Sequence, residues 1–229
     1  MGIKLGVDLV AFDWSGPISE DKRCVYEANM NIFRRYGVEA MPYEQWLSEL
    51  PQSQASFMKS HGINLEADEL FRLYTDYYND LVKSEIPPPC LHPDVRETLE
   101  YLQGMGKKLA VVSSHPEGNL RQEAKAYGLE GFFGMVIGST GVASSGGKAQ
   151  GLRMVCDKLK VSPGRTLFVG DMSHDILAGR EAGTCTAGIS GPKGGPPWRQ
   201  RGYQTVEELK REGPDLLLES LMELKEAVS

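Results

Sequence analysis

From about residue 95 onward, the chain alternates short apolar segments with segments of helical periodicity, and this alternation limits the fold more than any other feature. The predicted strands are an early one, Leu9–Phe12, followed by Leu109–Val112, Met135–Ile137, Thr166–Val169, Thr184–Ile189 and Leu216–Leu218. Strands that alternate with helices form mostly parallel sheets, because each crossover between parallel strands carries a helix. We therefore predict an α/β fold with a Rossmann-like, mostly parallel sheet and helices on both faces.

Residues 18–87 depart from this alternation, because they carry helical patterns with no strand-like segment between them. The strongest pattern places five apolar residues on one helix face: Leu70, Leu73, Tyr74, Tyr77 and Leu81. Turns that contain Gly16-Pro17 and Pro87–Pro89 bound the segment. We predict an α/β core domain of residues 1–17 and 88–229 and an inserted, all-helical cap domain of residues 18–87. Because the insert directly follows the first strand, we expect it to lie over the carboxyl ends of the strands.

The composition favours a globular protein that acts on a small molecule. With 25 Lys and Arg against 31 Asp and Glu, the formal net charge of the 229 residues is −6, which argues against a nucleic-acid surface. The four cysteines lie far apart and form no Cys-x-x-Cys pair, as is usual in a reduced chain. No apolar run approaches the length of a membrane span. We expect a cytoplasmic monomer or homodimer with no nucleic-acid or membrane partner.

Polar residues follow the predicted strands at the points where the strands end. These residues are Asp13, Ser113, Ser114 and Asp171, with Asp175 one helical turn further on and Lys148 before a helix. Parallel strands bring their carboxyl ends to one edge of a sheet, so we expect these groups to converge. Three close carboxylates repel one another unless a cation neutralises them, and oxygen ligands suit Mg²⁺. The pattern predicts a magnesium and phosphate site with a carboxylate nucleophile; the alternative is that each Asp caps a turn or helix.

At these positions the chain resembles the haloacid dehalogenase-like (HAD) superfamily, in the subgroup with a helical cap after the first motif, which includes phosphoglycolate phosphatase and phosphonatase-like enzymes. The first motif, Asp-x-Asp-Gly-Thr, is matched by Asp13–Pro17, the second by Ser113, the third by Lys148, and the fourth, Gly-Asp-x-x-x-Asp, by Gly170–Asp175. The fourth match is the most specific, because both its aspartate spacing and the Ala-Gly ending at Gly183 fit.

The resemblance implies a role for each matched residue. Asp13 is expected to be the nucleophile that attacks phosphorus and becomes an aspartyl phosphate. The expected Mg²⁺ ligands are the Asp13 carboxylate, the backbone carbonyl of Ser15, Asp171, and Asp175 either directly or through water. The expected phosphate contacts are Lys148 and Ser113, with Ser114 beside it. The substrate is expected to be a small phosphorylated metabolite.

The first motif departs from the family pattern at two positions. Ser15 occupies the place of the acid–base Asp, and Pro17 the place of the Thr. A serine hydroxyl cannot act as a general acid or base near neutral pH, and positioned acid–base catalysis is typically worth about 10²–10⁴-fold. Asp13-Trp14-Ser15-Gly16 is also similar to the Asp-Trp-Ala-Gly of phosphonoacetaldehyde hydrolase, which needs a cap lysine. Lys59 lies in the predicted cap but not at the expected spacing, so we interpret it as a surface lysine.

Three hypotheses follow: a phosphatase, a phosphonatase-like hydrolase of a carbon–phosphorus bond, and a catalytically weakened protein that keeps the phosphate pocket for binding or regulation. His115 and His174 are the first candidates to supply the proton that Ser15 cannot supply. The long Gly/Pro segment 191–202, which contains Arg201, is interpreted either as a contact for an anionic substrate or as a connection only.

Overall fold

The chain folds into two compact units. The computed structural model describes residues 4–49, 53–84, 88–140, 147–191 and 201–229. Within these, residues 4–20, 91–139 and 147–229 form an α/β unit, and Asp21–Cys90 form a helical unit. The helical unit thus begins and ends three residues later than the predicted 18–87. The shift at its start has a local cause, since the backbone amides of Ile18 and Ser19 bond to the Trp14 carbonyl in the α/β unit.

The centre of the α/β unit is a six-stranded parallel sheet. Its strands are β1 (Leu9–Phe12), β4 (Lys108–Pro116), β5 (Met135–Ser139), β6 (Thr166–Gly170), β7 (Cys185–Ile189) and β8 (Leu216–Leu218). Their order across the sheet is β5-β4-β1-β6-β7-β8. Two short strands, β2 (Ser19–Glu20) and β3 (Cys90–Leu91), form a separate two-stranded sheet. The prediction of a mostly parallel sheet is confirmed.

Helices cover both faces of this sheet. Along β1, Val10 and Phe12 pack in one apolar cluster, and Leu9 and Ala11 pack in another, as the alternation of side chains along a strand requires. The first cluster includes residues of α5 (Val95–Gly104) and α6 (Glu117–Ala126). The second includes residues of α7 (Gly147–Leu159) and α8 (Ser173–Ala182). The unit ends with two short helices, α9 (Val206–Arg211) and α10 (Leu224–Ala227).

The helical unit has a core of its own, rich in aromatic side chains. It contains α1 (Lys22–Arg35), α2 (Tyr43–Glu49), α3 (Gln54–Ser60) and α4 (Ala67–Val82). Phe33 and Phe57 stack with their ring centroids 5.5 Å apart. On α4, the predicted face is buried at Leu70, Tyr74 and Leu81 and half-buried at Leu73 and Tyr77, and Tyr78 is buried beside it. Among the described residues, no helix is long and apolar enough to cross a membrane.

Strand β4 differs from its prediction in a way that bears on function. It continues through Ser113 and Ser114 to Pro116 instead of ending at Val112. Val112 of β4 lies opposite Ile137 of β5, and Pro116 lies opposite Ser139. The chain therefore advances four residues along β4 while it advances two along β5. An irregularity of this kind bends a strand and redirects its side chains. The two serines therefore lie in an irregular stretch of β4 and not in a loop after it.

Candidate functional site

Asp13 begins a tight turn at the carboxyl end of β1. Its backbone amide donates to the carbonyl of Val169 on β6, at 2.8 Å. The amide of Trp14 donates to Asp13 Oδ1, also at 2.8 Å. Further along, the Gly16 amide bonds to the Ser19 carbonyl, which closes the loop. We call residues 13–19 the β1 turn; it holds the buried Asp13 side chain at the edge of the sheet.

Three carboxylates meet at this edge. Asp171 directly follows β6, which pairs with β1 through Phe12 and Val169. Asp175 lies in the first turn of α8. One oxygen from each of Asp13, Asp171 and Asp175 lies within 4.8 Å of the others, and all three residues are buried. The parallel topology thus brings together the three acidic groups that the sequence placed after neighbouring strands.

Lys148 lies among these carboxylates at the start of α7. Its Nζ is 2.7 Å from Asp13 Oδ2 and 2.5 Å from Asp175 Oδ1. Burial disfavours the Lys148 ammonium, but the two neighbouring carboxylates outweigh that effect and raise its pKa. Lys148 therefore stays charged and pairs with one carboxylate that follows β1 and another that follows β6. His174 Nε2 is 3.3 Å from the same Nζ, and burial lowers the pKa of His174.

Asp175 caps α8 and contacts the site at the same time. Its Oδ2 accepts hydrogen bonds from the amides of Asp171 and Met172, at 3.2 and 3.1 Å, while its Oδ1 contacts Lys148. Burial would raise the pKa of Asp175, but the Lys148 charge and these hydrogen bonds lower it. The capping and site interpretations are therefore not exclusive for this residue.

Asp171 is the least neutralised of the three carboxylates. Its Oδ2 accepts a 2.6 Å hydrogen bond from the amide of Tyr203. Its Oδ1 is fully buried and has no hydrogen-bond partner among the described residues. Burial, followed by the charges of Asp175 and Asp13, raises the pKa of Asp171 well above its usual value. A buried oxygen without a donor is costly, and a hard cation held by oxygen ligands fits this position.

The two serines of β4 lie in different environments. Ser113 is buried, and its Oγ accepts a hydrogen bond from the amide of His115 at 3.2 Å. Ser114 is exposed. Neighbouring residues on a strand point to opposite faces, so the two hydroxyls are not equivalent. Of the two serines, only Ser113 is buried, as Asp13 and Asp171 are.

A buried polar cluster that the sequence did not reveal supports the β1 turn from the side of α6. The indole Nε1 of Trp14 donates to Glu123 Oε2 at 2.6 Å, and Trp14 stacks on Tyr127 with the ring centroids 6.0 Å apart. His115 Nε2 lies 3.3 Å from Glu123 Oε1. His115 is thus a partner of Glu123 within the core. One feature of the sequence could have indicated this cluster, because Glu123 is an acidic residue on the same helix face as the apolar Leu120 and Ala124.

Arg201 holds the β1 turn from another side. Its Nη2 donates to the Pro17 carbonyl at 2.6 Å, and its Nη1 reaches both oxygens of Asp94, at 2.7 and 2.6 Å. Burial would raise the pKa of Asp94, but the hydrogen bonds and charge of Arg201 lower it. The Arg201 guanidinium therefore makes its hydrogen bonds within the protein itself, contrary to the interpretation that it contacts an anionic substrate. The rest of that predicted contact, residues 192–200, lies outside the described residues.

A parallel sheet with a buried carboxylate at the end of β1, a lysine beside it and two further aspartates at the end of β6 defines a hydrolase of the HAD type. The family model for haloacid dehalogenase-like hydrolases matches residues 10–189, and the chain belongs to this family.

Individual relatives are similar over nearly the whole chain. Pyrophosphatase PpaX of Bacillus velezensis is 25% identical over 95% of this chain and 94% of its own length. A phosphoglycolate phosphatase of Shigella dysenteriae is 24% identical over 100% of this chain and 86% of its own. Among solved structures, a predicted phosphatase from Clostridium acetobutylicum superposes with a TM-score of 0.79 at 18% identity, covering 96% of this chain and 97% of that one. This last likeness concerns the fold.

The close contact between Gly16 and Asp171 makes a testable prediction. Gly16 has φ +91°, and a Cβ there would lie 2.5 Å from Asp171 Cγ. Gly16→Ala should therefore combine backbone strain of about 1–2 kcal/mol with an overlap that typically costs another ~1–3 kcal/mol. Gly106→Ala is the matched control, since Gly106 has φ +76° and open space around it. Urea unfolding should show a larger loss for Gly16→Ala; equal losses would contradict the close packing.

Proposed function

We propose that this protein is a magnesium-dependent phosphohydrolase that acts on a small phosphorylated metabolite through an aspartyl phosphate at Asp13. The observation that carries the proposal is the placement of Asp13, buried at the end of β1 with Lys148 Nζ 2.7 Å from its carboxylate and two further carboxylates beside it. The names of the relatives, which are pyrophosphatase and phosphoglycolate phosphatase, support a phosphorylated substrate.

In the proposed reaction, Asp13 displaces the leaving group from phosphorus. A carboxylate oxygen forms a bond to phosphorus, the bond from phosphorus to the ester oxygen breaks, and the leaving oxygen takes a proton from its surroundings. Water then attacks the phosphorus of the aspartyl phosphate, which releases inorganic phosphate and regenerates Asp13. Lys148 and Ser113, both buried at this edge, are the proposed contacts for the phosphate oxygens.

Two of the four proposed magnesium ligands come from the β1 turn, the Asp13 carboxylate and the Ser15 carbonyl. Asp171 offers Oδ1, the buried oxygen that has no hydrogen-bond partner among the described residues. Asp175, whose Oδ1 contacts Lys148 and whose Oδ2 caps α8, is proposed as a ligand either directly or through water. When bound, the cation supplies positive charge that offsets the carboxylates and the phosphate.

Ser15 makes the proposed chemistry unusual, because no carboxylate stands at the acid–base position. The phosphonatase-like alternative draws on the same segment, Asp13–Gly16, but it needs a lysine that forms a Schiff base. Lys59, which we considered for that role, is exposed on α3. The phosphatase is therefore the better-supported proposal, with a leaving-group dependence that follows from Ser15.

The first test concerns the nucleophile. Asp13→Asn replaces the carboxylate by a nearly isosteric but poorly nucleophilic amide, so turnover should fall by about 10⁴-fold or more. Phosphate release should be measured with Mg²⁺ over a panel of phosphorylated metabolites. Asp8→Asn makes the same chemical change on an exposed carboxylate paired with Arg165 and should keep full turnover. If Asp13→Asn retained activity within about tenfold of wild type, an aspartyl-phosphate mechanism would be excluded.

The second test concerns the cation. Asp171→Asn removes the charge of the oxygen that has no donor, so Mg²⁺ affinity should fall by at least about tenfold, as for other metal-site substitutions. Titration calorimetry without substrate measures this directly, with Asp8→Asn as the control. Saturating Mg²⁺ should also raise the melting temperature of wild type more than that of Asp171→Asn. Equal affinity in the two variants would remove Asp171 from the ligand set.

The third test concerns Ser15. Without an acid to protonate the leaving oxygen, aryl and acyl phosphates should react faster than alkyl phosphates, and the rate should depend steeply on the pKa of the leaving group. Ser15→Asp should raise turnover of alkyl phosphates toward the ~10²–10⁴-fold that acid–base catalysis supplies. Ser15→Asn, which is similar in size but cannot donate an acidic proton, should give no such gain. A flat leaving-group dependence in wild type, with no gain in Ser15→Asp, would show that another group supplies the proton.

A further inference from the structure

A short segment after β7 contacts two separate parts of the proposed metal site. Arg201, Gly202 and Tyr203 lie outside all four family motifs and beyond residue 189, where the family match ends. The Arg201 side chain reaches the β1 turn, and the Tyr203 amide reaches Asp171. We call these three residues the 201–203 strap.

The geometry of Arg201 suits a residue that fixes the β1 turn. Its guanidinium donates to the Pro17 carbonyl through Nε at 3.2 Å and Nη2 at 2.6 Å. Its other branch is held by Asp94, which also accepts from the Ser220 hydroxyl and the Leu221 amide, at 2.7 and 2.9 Å. The planar fork of arginine can serve a carboxylate and a carbonyl at once, whereas a lysine ammonium is a single point donor. Pro17 is thus held by an arginine that is itself held on its opposite side.

The other end of the strap orients Asp171. The Tyr203 amide donates a hydrogen bond to Asp171 Oδ2 at 2.6 Å, and this leaves Oδ1 as the oxygen without a protein donor among the described residues. Gly202, with φ +81°, lets the backbone pass close to the aspartate: a Cβ there would lie 2.8 Å from Asp171 Cβ and 2.9 Å from the Ile189 carbonyl. The strap thus fits against Asp171 only because residue 202 has no side chain.

We propose that the 201–203 strap positions the metal site, with Arg201 setting the β1 turn that carries the Ser15 carbonyl and Tyr203 directing Asp171 Oδ1 toward the cation. The cation is the one in the proposed function, so this inference rests on that site. None of the three residues is expected to touch the substrate; they are positioning residues. A purely structural strap would stabilise the fold without changing how tightly the folded protein binds Mg²⁺.

Gly202→Ala tests the contact with Asp171. The matched control is Gly213→Ala, because Gly213 has φ +64° and no atom near its missing Cβ, so it shares the backbone strain and lacks the contact. Titration calorimetry with Mg²⁺ alone should show a loss of about 10–100-fold in affinity for Gly202→Ala, the range found when partners of metal ligands are changed. Gly213→Ala should bind Mg²⁺ like wild type. Equal affinities for the two folded variants would overturn the proposal for Tyr203 and Asp171.

Arg201→Lys tests the hold on the β1 turn. Amide hydrogen exchange should become faster at Gly16, Ile18 and Ser19, whose hydrogen bonds close the turn, but not at Phe168 inside β6. Arg180→Lys is the control, since Arg180 also donates to backbone carbonyls, those of Glu212 and Gly213, away from the site. If Arg201→Lys speeds exchange equally throughout the α/β unit, or leaves the turn unchanged, Arg201 does not position it.

The two variants also separate this inference from the proposed function. Amide hydrogen exchange in the β1 turn is measured without metal or substrate, so it tests the role of Arg201 even if the protein hydrolyses no phosphate ester. Mg²⁺ binding by wild type is read without substrate, so it is independent of turnover. Wild type that binds Mg²⁺ with no difference between Gly202→Ala and Gly213→Ala contradicts the strap alone. Wild type that binds no Mg²⁺ contradicts both the metal site and the role of Tyr203.

Discussion

The structure depends on the way one lysine is shared among carboxylates at the edge of the sheet. Lys148 contacts Asp13 and Asp175, which come from strands β1 and β6 by way of a turn and a helix. Separating any of these charges in the core would leave a buried ion without its partner, a large cost in free energy. Asp171 lies in the same cluster without such a contact, and one of its oxygens lacks a donor among the described residues. The parallel topology therefore gathers three carboxylates around a single lysine, and the cluster is short of positive charge.

A site of this kind needs a firmly held backbone, because like charges tend to move apart. The β1 turn is held on the α6 side by Trp14, through its hydrogen bond to Glu123, and on another side by Arg201, through the Pro17 carbonyl. Both anchors are buried and both are charge-assisted, so they are stronger than neutral hydrogen bonds. The turn that carries the proposed nucleophile is consequently part of the core, although its sequence resembles an ordinary loop.

The sequence predicted the fold and much of the site because both follow from periodic patterns and from strand ends. Strands β1 and β8 have the predicted bounds, and Asp13, Asp171 and Asp175 meet as parallel topology requires. The features that it could not predict depend on contacts between residues that lie far apart in the sequence. Nothing near Arg201 in the chain indicates Asp94 or Pro17, because the contacts join residues 107 and 184 positions apart. The extension of β4 past Val112 was missed because serines are poor markers of a strand that continues through an irregular stretch.

The position of Arg201 in the chain has a consequence for how the protein could be divided. Every family motif lies before residue 176, and the family match ends at residue 189. A fragment that ended there would keep Lys148 and all three carboxylates, including the proposed nucleophile Asp13. It would lack the guanidinium on Pro17, the amide on Asp171 and the Ser220 and Leu221 contacts that hold Asp94. The smallest unit that preserves the site is thus set by its supporting contacts, and a chimera with a related enzyme should exchange the segment through Leu221 together with the β1 turn.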